Sequence, residues 1–435
     1  VARNLLKDVC VGAAAHSDHG REVVRALLLA GEGKSEAYRV RGGAKLRALA
    51  EEYGISCEGK SEKPLARELA ASFLEEFGKQ EGALANVRRA PEQQRKNWAA
   101  AGVTPRGIDR EIVTGLHMTH MGVDNDAEHL ILASVRAALA DGWGGSMIAT
   151  DVSDVLFGQP HPLRSRVNLG VLKADEVNIL VHGHEPTLSD VIVAAAQDPE
   201  LLAAAAAQGA RGINVAGICC TANEILMRHG IPIAGNFLQQ ELAVLTGAVD
   251  VMLVDVQCVF PALTELQNCF HTKVVSTSPK ARVPGATHIE FHEEHALETA
   301  RQIVRLAIDN YANRDAAKVN IPDVQERLVA GFTTEVVFQI LGGRYRPSYR
   351  PLNDGIQTGR LRGVAGVVGC NNPRFRHDAS HLAMVRELIR NDVLVLQTGC
   401  SAIACGKAGL LAPEAAARWA GQGLQEICRA VGLPP

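Results

Sequence analysis

Five apolar segments of this sequence each end in a side chain that can bind a metal ion. They read VNILVHGH, GINVAGICC, VMLVDVQC, VAGVVGC and VLVLQTGC, and they end at His184, Cys220, Cys258, Cys370 and Cys400. Thiolate sulfur is a soft ligand that suits zinc and iron–sulfur clusters, and imidazole binds zinc, iron and nickel. One histidine and several cysteines in these positions therefore indicate metal-based chemistry.

The residues before each ligand are typical of buried parallel strands, because they are rich in β-branched and aliphatic side chains with little polar interruption. In an open parallel sheet, the carboxyl ends of the strands face one crevice, where such folds bind ligands. We therefore expect the five side chains to converge on one pocket, although they lie far apart in the sequence.

The central segment contains two adjacent cysteines, Cys219 and Cys220, followed directly by a helix signal. Thr221 and Glu224 have the spacing of a capping box. The positive end of a helix dipole and the free N–H groups of its first turn favour a thiolate. We therefore predict a reactive strand-to-helix corner at these two cysteines.

Zinc is one alternative for such a set, but structural zinc sites favour paired ligands at short spacing on small loops. Here the ligands are 30 to 112 residues apart, each on its own strand. An iron–sulfur or mixed-metal cluster, which takes ligands from several directions, fits this spacing better. The other alternative is a set of buried structural cysteines that happen to end strands.

The remaining cysteines have no common pattern. Four of them lack the strand-end context and are predicted to be inert, namely Cys10, Cys57, Cys269 and Cys428. Cys219 is either a spare ligand or a packing residue. The role of Cys405, five residues after Cys400, stays open.

A histidine pair lies near the start of the sequence in the segment AAAHSDHGR. His16 and His19 are three residues apart, so a helix would place them on one face. The alternative for such a pair is an ordinary polar surface. Spacing alone does not separate the two interpretations.

The chain of 435 residues is too long for one compact core and indicates an α/β protein of several domains. We predict an N-terminal helical domain (1–165), with helices over 62–77, 109–117 and 126–140, the last ended by Gly142. A first Rossmann-like parallel-sheet domain (166–300) follows, then a helical connection and linker (301–362). The start of a second Rossmann-like domain, incomplete in this sequence, occupies 363–435.

Composition excludes several functions. With 45 basic and 48 acidic side chains, the net charge of −3 gives no electrostatic basis for binding nucleic acid or an anionic membrane. Ten cysteines without a secretory signal indicate a reducing, cytoplasmic location. The sequence starts at Val1 inside a helical pattern and stops after Pro435 without a closing element, so we expect a fragment that lacks both ends.

Long motifs of this chain resemble a known family. The segments are AAAHSDHGR, THMGVDNDAEHLIL, DGWGGSMIATDVSDVLFG, VHGHEPTLSD, GICCTANEILMRHGIPIAGNFLQQELAVLTGAVD, VDVQC, STSPKA, HIEF, GVVGCNNP and TGCSAIACGKAGLL. Together they resemble the catalytic subunit of anaerobic nickel–iron–sulfur carbon monoxide dehydrogenase over the whole chain. The hybrid-cluster proteins share this prismane-type fold, and the match to them is weaker.

The resemblance implies an oxidoreductase that reversibly converts CO and water to CO2, two protons and two electrons at a nickel–iron–sulfur cluster (NiFe4S4). In this frame His184 and Cys220 resemble the ligands of the iron outside the cubane. Cys258, Cys370 and Cys400 resemble the thiolates on the three cubane irons.

The resemblance also implies roles in proton transfer. His16 resembles the active-site histidine and His19 the next member of a histidine relay, whereas Glu22 and Arg25 stand where the family has further histidines. Asp141 resembles the family's active-site carboxylate.

Further features of the family are expected outside this sequence. They include the cysteines for [4Fe–4S] clusters, the cysteine that binds nickel and a catalytic lysine, so the fragment alone is expected to be inactive. The resemblance implies a cytoplasmic homodimer that passes electrons to a ferredoxin-like acceptor and associates with membranes only through partners. The alternatives are a hybrid-cluster hydroxylamine reductase-like protein and a non-catalytic metallocluster-binding scaffold.

Overall fold

The computed structural model describes residues 1–342 and 347–431. The chain divides into two compact units, Val1–Gln159 and Pro160–Pro435. The first unit is helical and the second contains the strands.

The first unit packs around its first helix. The α-helices of this unit are α1 (Ala2–Glu32), α2 (Gly43–Glu52), α3 (Glu62–Gly78), α4 (Glu92–Ala100), α5 (Ile108–Met118), α6 (Ala127–Ala140) and α7 (Ser146–Phe157). Helix α1 buries Leu6, Cys10, Ala13, Val24 and Leu27. Positions three and four residues apart form one face of a helix, and on α1 that face contacts α3, α5, α6 and α7.

A π-helical turn, Asp141–Gly145, joins α6 directly to α7, so the prediction that Gly142 ends the helix was wrong. Packing explains why the chain stays helical here despite the low helix propensity of glycine. A Cβ at Gly144 would lie only 2.6 Å from Cγ1 of Ile108. The glycines allow this turn to approach its neighbours closely, and π-turns are frequent at functional sites.

The second unit is built on a large sheet. Its strands are β1 (Leu163–Val167), β2 (Val177–Gly183), β3 (Ile213–Ile218), β4 (Ile233–Gly235), β5 (Val251–Val254), β6 (Lys273–Ser276), β7 (Thr287–His288) and β8 (Glu326–Ala330). Their order is β7-β6-β5-β2-β3-β4-β1-β8, and all neighbours are parallel except β1 and β8. Every residue of β2 and β5 is buried. The α-helices between these strands are α8 (Pro186–Ala195), α9 (Pro199–Ala207), α10 (Cys219–His229), α11 (Gln239–Leu245), α12 (Ala262–Leu266) and α13 (Ala296–Tyr311).

A smaller parallel sheet follows in the same unit. It pairs β9 (Gly363–Val367) with β10 (Val393–Gln397). The α-helices around it are α14 (Thr334–Leu341), α15 (Arg350–Gln357), α16 (Ala379–Arg390), α17 (Gly399–Lys407), α18 (Ala415–Trp419) and α19 (Gln422–Ala430).

The predicted α/β class, with a helical N-terminal region and a mostly parallel sheet, is confirmed. Strands β1, β4 and β8 were not predicted, and β8 lies inside the segment interpreted as a helical connection. This strand pairs antiparallel with β1 from Leu163↔Ala330 to Val167↔Glu326. Both strands are short, and β8 carries polar residues because it is an edge strand, so neither has a long apolar run. The segment interpreted as a linker contains α15, and its residues 343–346 lie outside the described part of the chain.

Over the described residues, no helix is both long enough and apolar enough to cross a membrane.

A buried carboxylate holds together the amino-terminal ends of two central strands. Asp250, which precedes β5, has no exposed surface. It accepts hydrogen bonds from the backbone N–H of Asn178 (2.7 Å) and from Nε2 of His271 (2.8 Å), and it pairs with the guanidinium of Arg314. Removing one member of a buried ion pair leaves the other charge without compensation.

Asp250→Ala should lower the free energy of unfolding by about 3–5 kcal/mol, measured by urea denaturation with circular dichroism. The matched control is Asp175→Ala, because Asp175 forms an exposed ion pair with Arg211 at 3.4 Å. That variant should lose less than about 1 kcal/mol. Equal losses in the two variants would contradict this account of the strand ends.

Candidate metal centre

The structure brings the five predicted ligands together at the carboxyl ends of β2, β3, β5, β9 and β10. Thiol hydrogen bonds connect Cys258 to Cys370 and, through Cys219, to Cys400. The sulfur of Cys220 lies 4.0 Å from the Cβ position of Gly399, the neighbour of Cys400. His184 lies close enough to Cys258 to act on its charge. Both sheets of the second unit therefore contribute to one pocket, which we call the thiol pocket.

A left-handed backbone turn precedes every one of these ligands. The residues directly before them are Gly183 (φ 134°), Cys219 (62°), Gln257 (65°), Gly369 (102°) and Gly399 (65°). Positive φ is uncommon and strained for residues other than glycine, and such strain is concentrated at functional sites. These turns lie at the strand ends or within three residues after them, so the ligand side chains can leave the strand direction and enter the pocket.

A sequence signal for these turns exists. Three of the five ligands are preceded by glycine, the residue that adopts positive φ at the lowest cost. The pattern of an apolar strand, then glycine, then histidine or cysteine would have marked His184, Cys370 and Cys400. Cys219 and Gln257 carry the same turn without glycine, and no sequence pattern indicates it.

The sequence left the role of Cys219 open, and the structure places this residue in the thiol pocket. Its side chain is completely buried, and its sulfur accepts a hydrogen bond from the N–H of Phe237 at 3.2 Å. Cys405 is also buried, but it packs in a different apolar group with Val367 and Val385 and accepts a hydrogen bond from Gln397. The structure therefore places Cys219 at the site and Cys405 in the core.

The four cysteines predicted to be inert lie elsewhere in the fold. Cys10 is buried in α1 and Cys57 lies in a loop of the first unit. Cys269 is exposed after α12, and Cys428 is on α19.

The predicted capping box at the start of α10 does not form. The helix begins at Cys219, and the hydroxyl of Thr221 donates to Asp255 at 3.2 Å. The surroundings of the two cysteines also oppose the expected ionisation. The pKa of Cys219 is raised by its hydrogen bonds to neighbouring thiols and by burial, and burial raises that of Cys220. Desolvation and nearby negative charge outweigh the helix dipole here.

Asp255, which was not among the predicted site residues, organises the histidine side of the pocket. Its carboxylate accepts the N–H groups of His184 (2.8 Å) and Glu185 (3.0 Å), in addition to the hydroxyl of Thr221. Burial raises the pKa of Asp255 to about 7, although these hydrogen bonds oppose the rise. An aspartate directly after the buried strand β5 is the signal that could have identified it.

The donor set fits an iron–sulfur cluster. Hydrogen bonds from Cys219 and Cys370 hold the pKa of Cys258 well below its ordinary value, whereas the pKa of Cys370 is raised by its hydrogen bond to Cys258 and by burial. Thiols packed this closely cannot all ionise unless a cation compensates their charge, and bound metal ions deprotonate coordinating thiols. A metal cluster would supply that compensation.

Across 1–342 and 347–431, no group of three or more histidine, cysteine, aspartate or glutamate side chains is arranged around the position of one metal ion. The ligands of a cluster bind different metal atoms, so they need not share one coordination sphere. The arrangement is therefore compatible with a cluster and does not suit a mononuclear zinc site.

In the first unit, the structure pairs two of the residues assigned to proton transfer. Nδ1 of His16 lies 2.9 Å from both carboxylate oxygens of Asp141, the first residue of the π-turn. The hydroxyl of Ser146 donates to Asp141 at 2.6 Å. The hydrogen bond to Asp141 raises the pKa of His16, with burial opposing it. His19, one turn along α1, is buried.

Comparison with known proteins shows what the chain resembles. It is similar to carbon monoxide dehydrogenase 1 of Methanosarcina mazei, with 57% identity over 435 residues that cover 100% of this chain and 68% of that relative. Carbon monoxide dehydrogenase 1 of Carboxydothermus hydrogenoformans is 44% identical over 444 residues, which cover 99% of this chain and 68% of the relative.

Solved structures agree with this likeness. A nickel-free, as-isolated carbon monoxide dehydrogenase from Thermococcus sp. AM4 has a TM-score of 0.95 and 49% identity, covering 100% of this chain and 68% of that chain. An acetyl-CoA synthase/carbon monoxide dehydrogenase structure has a TM-score of 0.94 and 42% identity, covering 99% and 64%. The chain also matches one protein family over residues 1–435. These findings confirm the resemblance seen in the sequence: the chain belongs to the Prismane/CO dehydrogenase family.

Proposed function

We propose that this chain carries the cluster-binding region of an anaerobic carbon monoxide dehydrogenase, which reversibly oxidises CO with water to CO2, two protons and two electrons. The observation that carries the proposal is the thiol pocket, where one imidazole and several thiols meet at the ends of parallel strands. The named relatives are carbon monoxide dehydrogenases, which supports the same reaction for this chain.

In this proposal the thiol pocket holds a nickel–iron–sulfur cluster. His184 and Cys220 bind the iron outside the cubane, and Cys258, Cys370 and Cys400 bind the cubane irons. When bound, such a cluster takes up CO and accepts the two electrons of the reaction. The chain supplies fixed ligand positions, because the left-handed turn before each ligand sets the direction of its side chain.

Asp255 supports the histidine ligand. By accepting the N–H groups of His184 and Glu185, it fixes the backbone from which the imidazole projects. Groups that orient a ligand in this way commonly affect metal affinity as strongly as activity. We therefore assign Asp255 a positioning role.

We further propose that His16 moves protons during the reaction. Because Nδ1 of His16 faces Asp141, the other ring nitrogen, Nε2, is the atom that exchanges a proton in the neutral tautomer. Asp141 orients the ring and stabilises its protonated form. His19 is proposed as the next carrier.

The proposed setting follows the same family. We propose a cytoplasmic homodimer with additional [4Fe–4S] clusters that passes electrons to a ferredoxin-like acceptor. Any association with a membrane would occur through partners. The net charge of −3 offers no electrostatic basis for a nucleic-acid partner.

In the full-length protein purified without oxygen, Cys400→Ala should lower both the bound iron and the rate of CO-dependent viologen reduction by at least about tenfold. The matched control is Cys405→Ala, on the same helix α17, where the side chain packs in the core. It should keep its iron and its activity. A Cys400→Ala protein with full iron content and activity would contradict the proposed ligand set. Reduction of hydroxylamine without CO oxidation by the unmodified protein would favour the hybrid-cluster alternative.

In the full-length protein, His16→Gln should lower kcat for CO oxidation by roughly 10²- to 10⁴-fold while nickel and iron contents stay unchanged. In CO oxidation the neutral imidazole accepts the proton, so the rate rises as pH increases through the pKa of His16. Since Asp141 raises that pKa, Asp141→Asn should move the rising limb of the rate–pH profile to lower pH. Loss of metal in parallel with activity, or an unmoved limb, would make these residues structural.

A further inference from the structure

A lysine with a largely buried side chain lies beside the thiol pocket, on α17, the helix that also contains Cys400. Lys407, near the end of α17, donates to Oδ1 of Asn236 (2.7 Å), Oε1 of Gln239 (2.6 Å) and Oδ2 of Asp378 (2.6 Å). The side chains of Lys407 and Asp378 are each only 11% exposed. Lysine is rarely buried to this degree unless it is paired.

Asp378 connects this lysine to the loop of Cys370. Its Oδ1 accepts Nδ2 of Asn371 and Nδ2 of Asn236, both at 3.0 Å. Its backbone N–H donates to Oδ1 of Asn371 at 2.8 Å. Asn371 directly follows Cys370, so the carboxylate is fixed relative to that ligand.

The same network reaches two other thiols. Nδ2 of Asn236 donates to the carbonyl of Cys400 at 3.1 Å, and the next residue, Phe237, donates its N–H to the sulfur of Cys219. Burial lowers the pKa of Lys407, while Asp378 and the thiols of Cys400 and Cys219 oppose that effect. The ammonium group therefore lies within electrostatic range of the pocket.

A contribution to folding stability does not by itself explain why the protein has this ion pair. Replacing a buried ion pair by apolar residues of similar size is often neutral or stabilising, because desolvation of the two charges costs as much as their attraction returns. A cluster next to the pair gives these charges another role. The reduction potential of an iron–sulfur cluster depends on the net charge around it and on hydrogen bonds to its ligands.

We propose that Lys407 and Asp378 set the reduction potential of the cluster in the thiol pocket, with the ammonium raising it and the carboxylate lowering it. Reduction adds negative charge to a cluster, so a nearby positive charge favours the reduced form and a negative charge disfavours it. Neither residue is a ligand, and both act through the field at the cluster. The inference depends on the proposed function, because it requires a redox cluster in this pocket.

Two single variants and their combination test the inference. Lys407→Met leaves the carboxylate uncompensated and should shift the cluster potential to more negative values. Asp378→Asn leaves the ammonium uncompensated and should shift it to more positive values. The double variant is neutral, like the original pair, and its potential should lie between those of the two single variants. The potentials are measured by electron paramagnetic resonance at controlled potential on protein purified without oxygen, with iron content determined in parallel.

Opposite shifts of the potential in the two single variants would support the inference. A loosened pocket would shift the potential in the same direction whichever of the two charges was removed. Shifts in the same direction, or unchanged potentials in proteins that retain iron, would overturn it. Loss of iron from both single variants with recovery in the double variant, or loss from all three, would show a structural role and also overturn it. Lys318→Met, which removes a charge that contacts the exposed Cys269 carbonyl, is the control and should leave the potential unchanged.

The result also separates this inference from the proposed function. A parent protein without a cluster signal would refute the cluster itself. A normal cluster signal in the parent with unresponsive variants would refute only the role of Lys407 and Asp378.

Discussion

The close packing of several thiols, some of them buried, is the constraint on which the second unit depends. Cys258 is within hydrogen-bonding distance of both Cys219 and Cys370. Cys219 is buried, Cys258 is half-buried and Cys370 is at the exposed side of the group. In such a place only part of the set can be ionised without a cation, since thiolates repel each other and burial penalises each charge. Metal binding removes this conflict, and because the ligands come from distant parts of the chain, it is coupled to folding.

The rest of the unit can be understood as the support for that pocket. Five strands end at it, and a left-handed turn before each ligand redirects the chain. Asp255 fixes the histidine loop. The Lys407–Asp378 pair connects the loop of Cys370 and helix α17, which contains Cys400, to Asn236 at the end of β4. The two polar networks use buried charges, which are costly to desolvate, and each contacts the backbone that carries ligands. Because burying these charges costs free energy, the two networks are better explained by ligand positioning and electrostatics than by folding stability.

Much of this arrangement could be predicted from the sequence because parallel strands that are buried on both faces have long apolar runs. Those runs located His184, Cys258 and Cys400 at strand ends, and the parallel topology predicted that they would meet. The backbone turns could not be predicted at Cys219 and Gln257, where positive φ is imposed by the surrounding structure against the preference of the residue.

Other features depend on contacts between distant segments, which local patterns do not reveal. The hydroxyl of Thr221 bonds to Asp255 instead of capping α10, and His16 meets Asp141 across 125 positions of the sequence. Strand β8 forms because β1 offers an unpaired edge. The family resemblance supplied roles for the ligands, but it assigned none to Asp255, Lys407 or Asp378.

The central claim is that one cluster occupies the thiol pocket. The most direct measurement is anomalous X-ray diffraction at the iron and nickel absorption edges, from crystals of the protein prepared without oxygen. We expect iron signal within bonding distance of the His184 imidazole and of the sulfurs of Cys220, Cys258, Cys370 and Cys400, with nickel signal next to that iron in the full-length protein. Iron signal located elsewhere, or a pocket in which these cysteines are joined as disulfides with no metal signal, would contradict it.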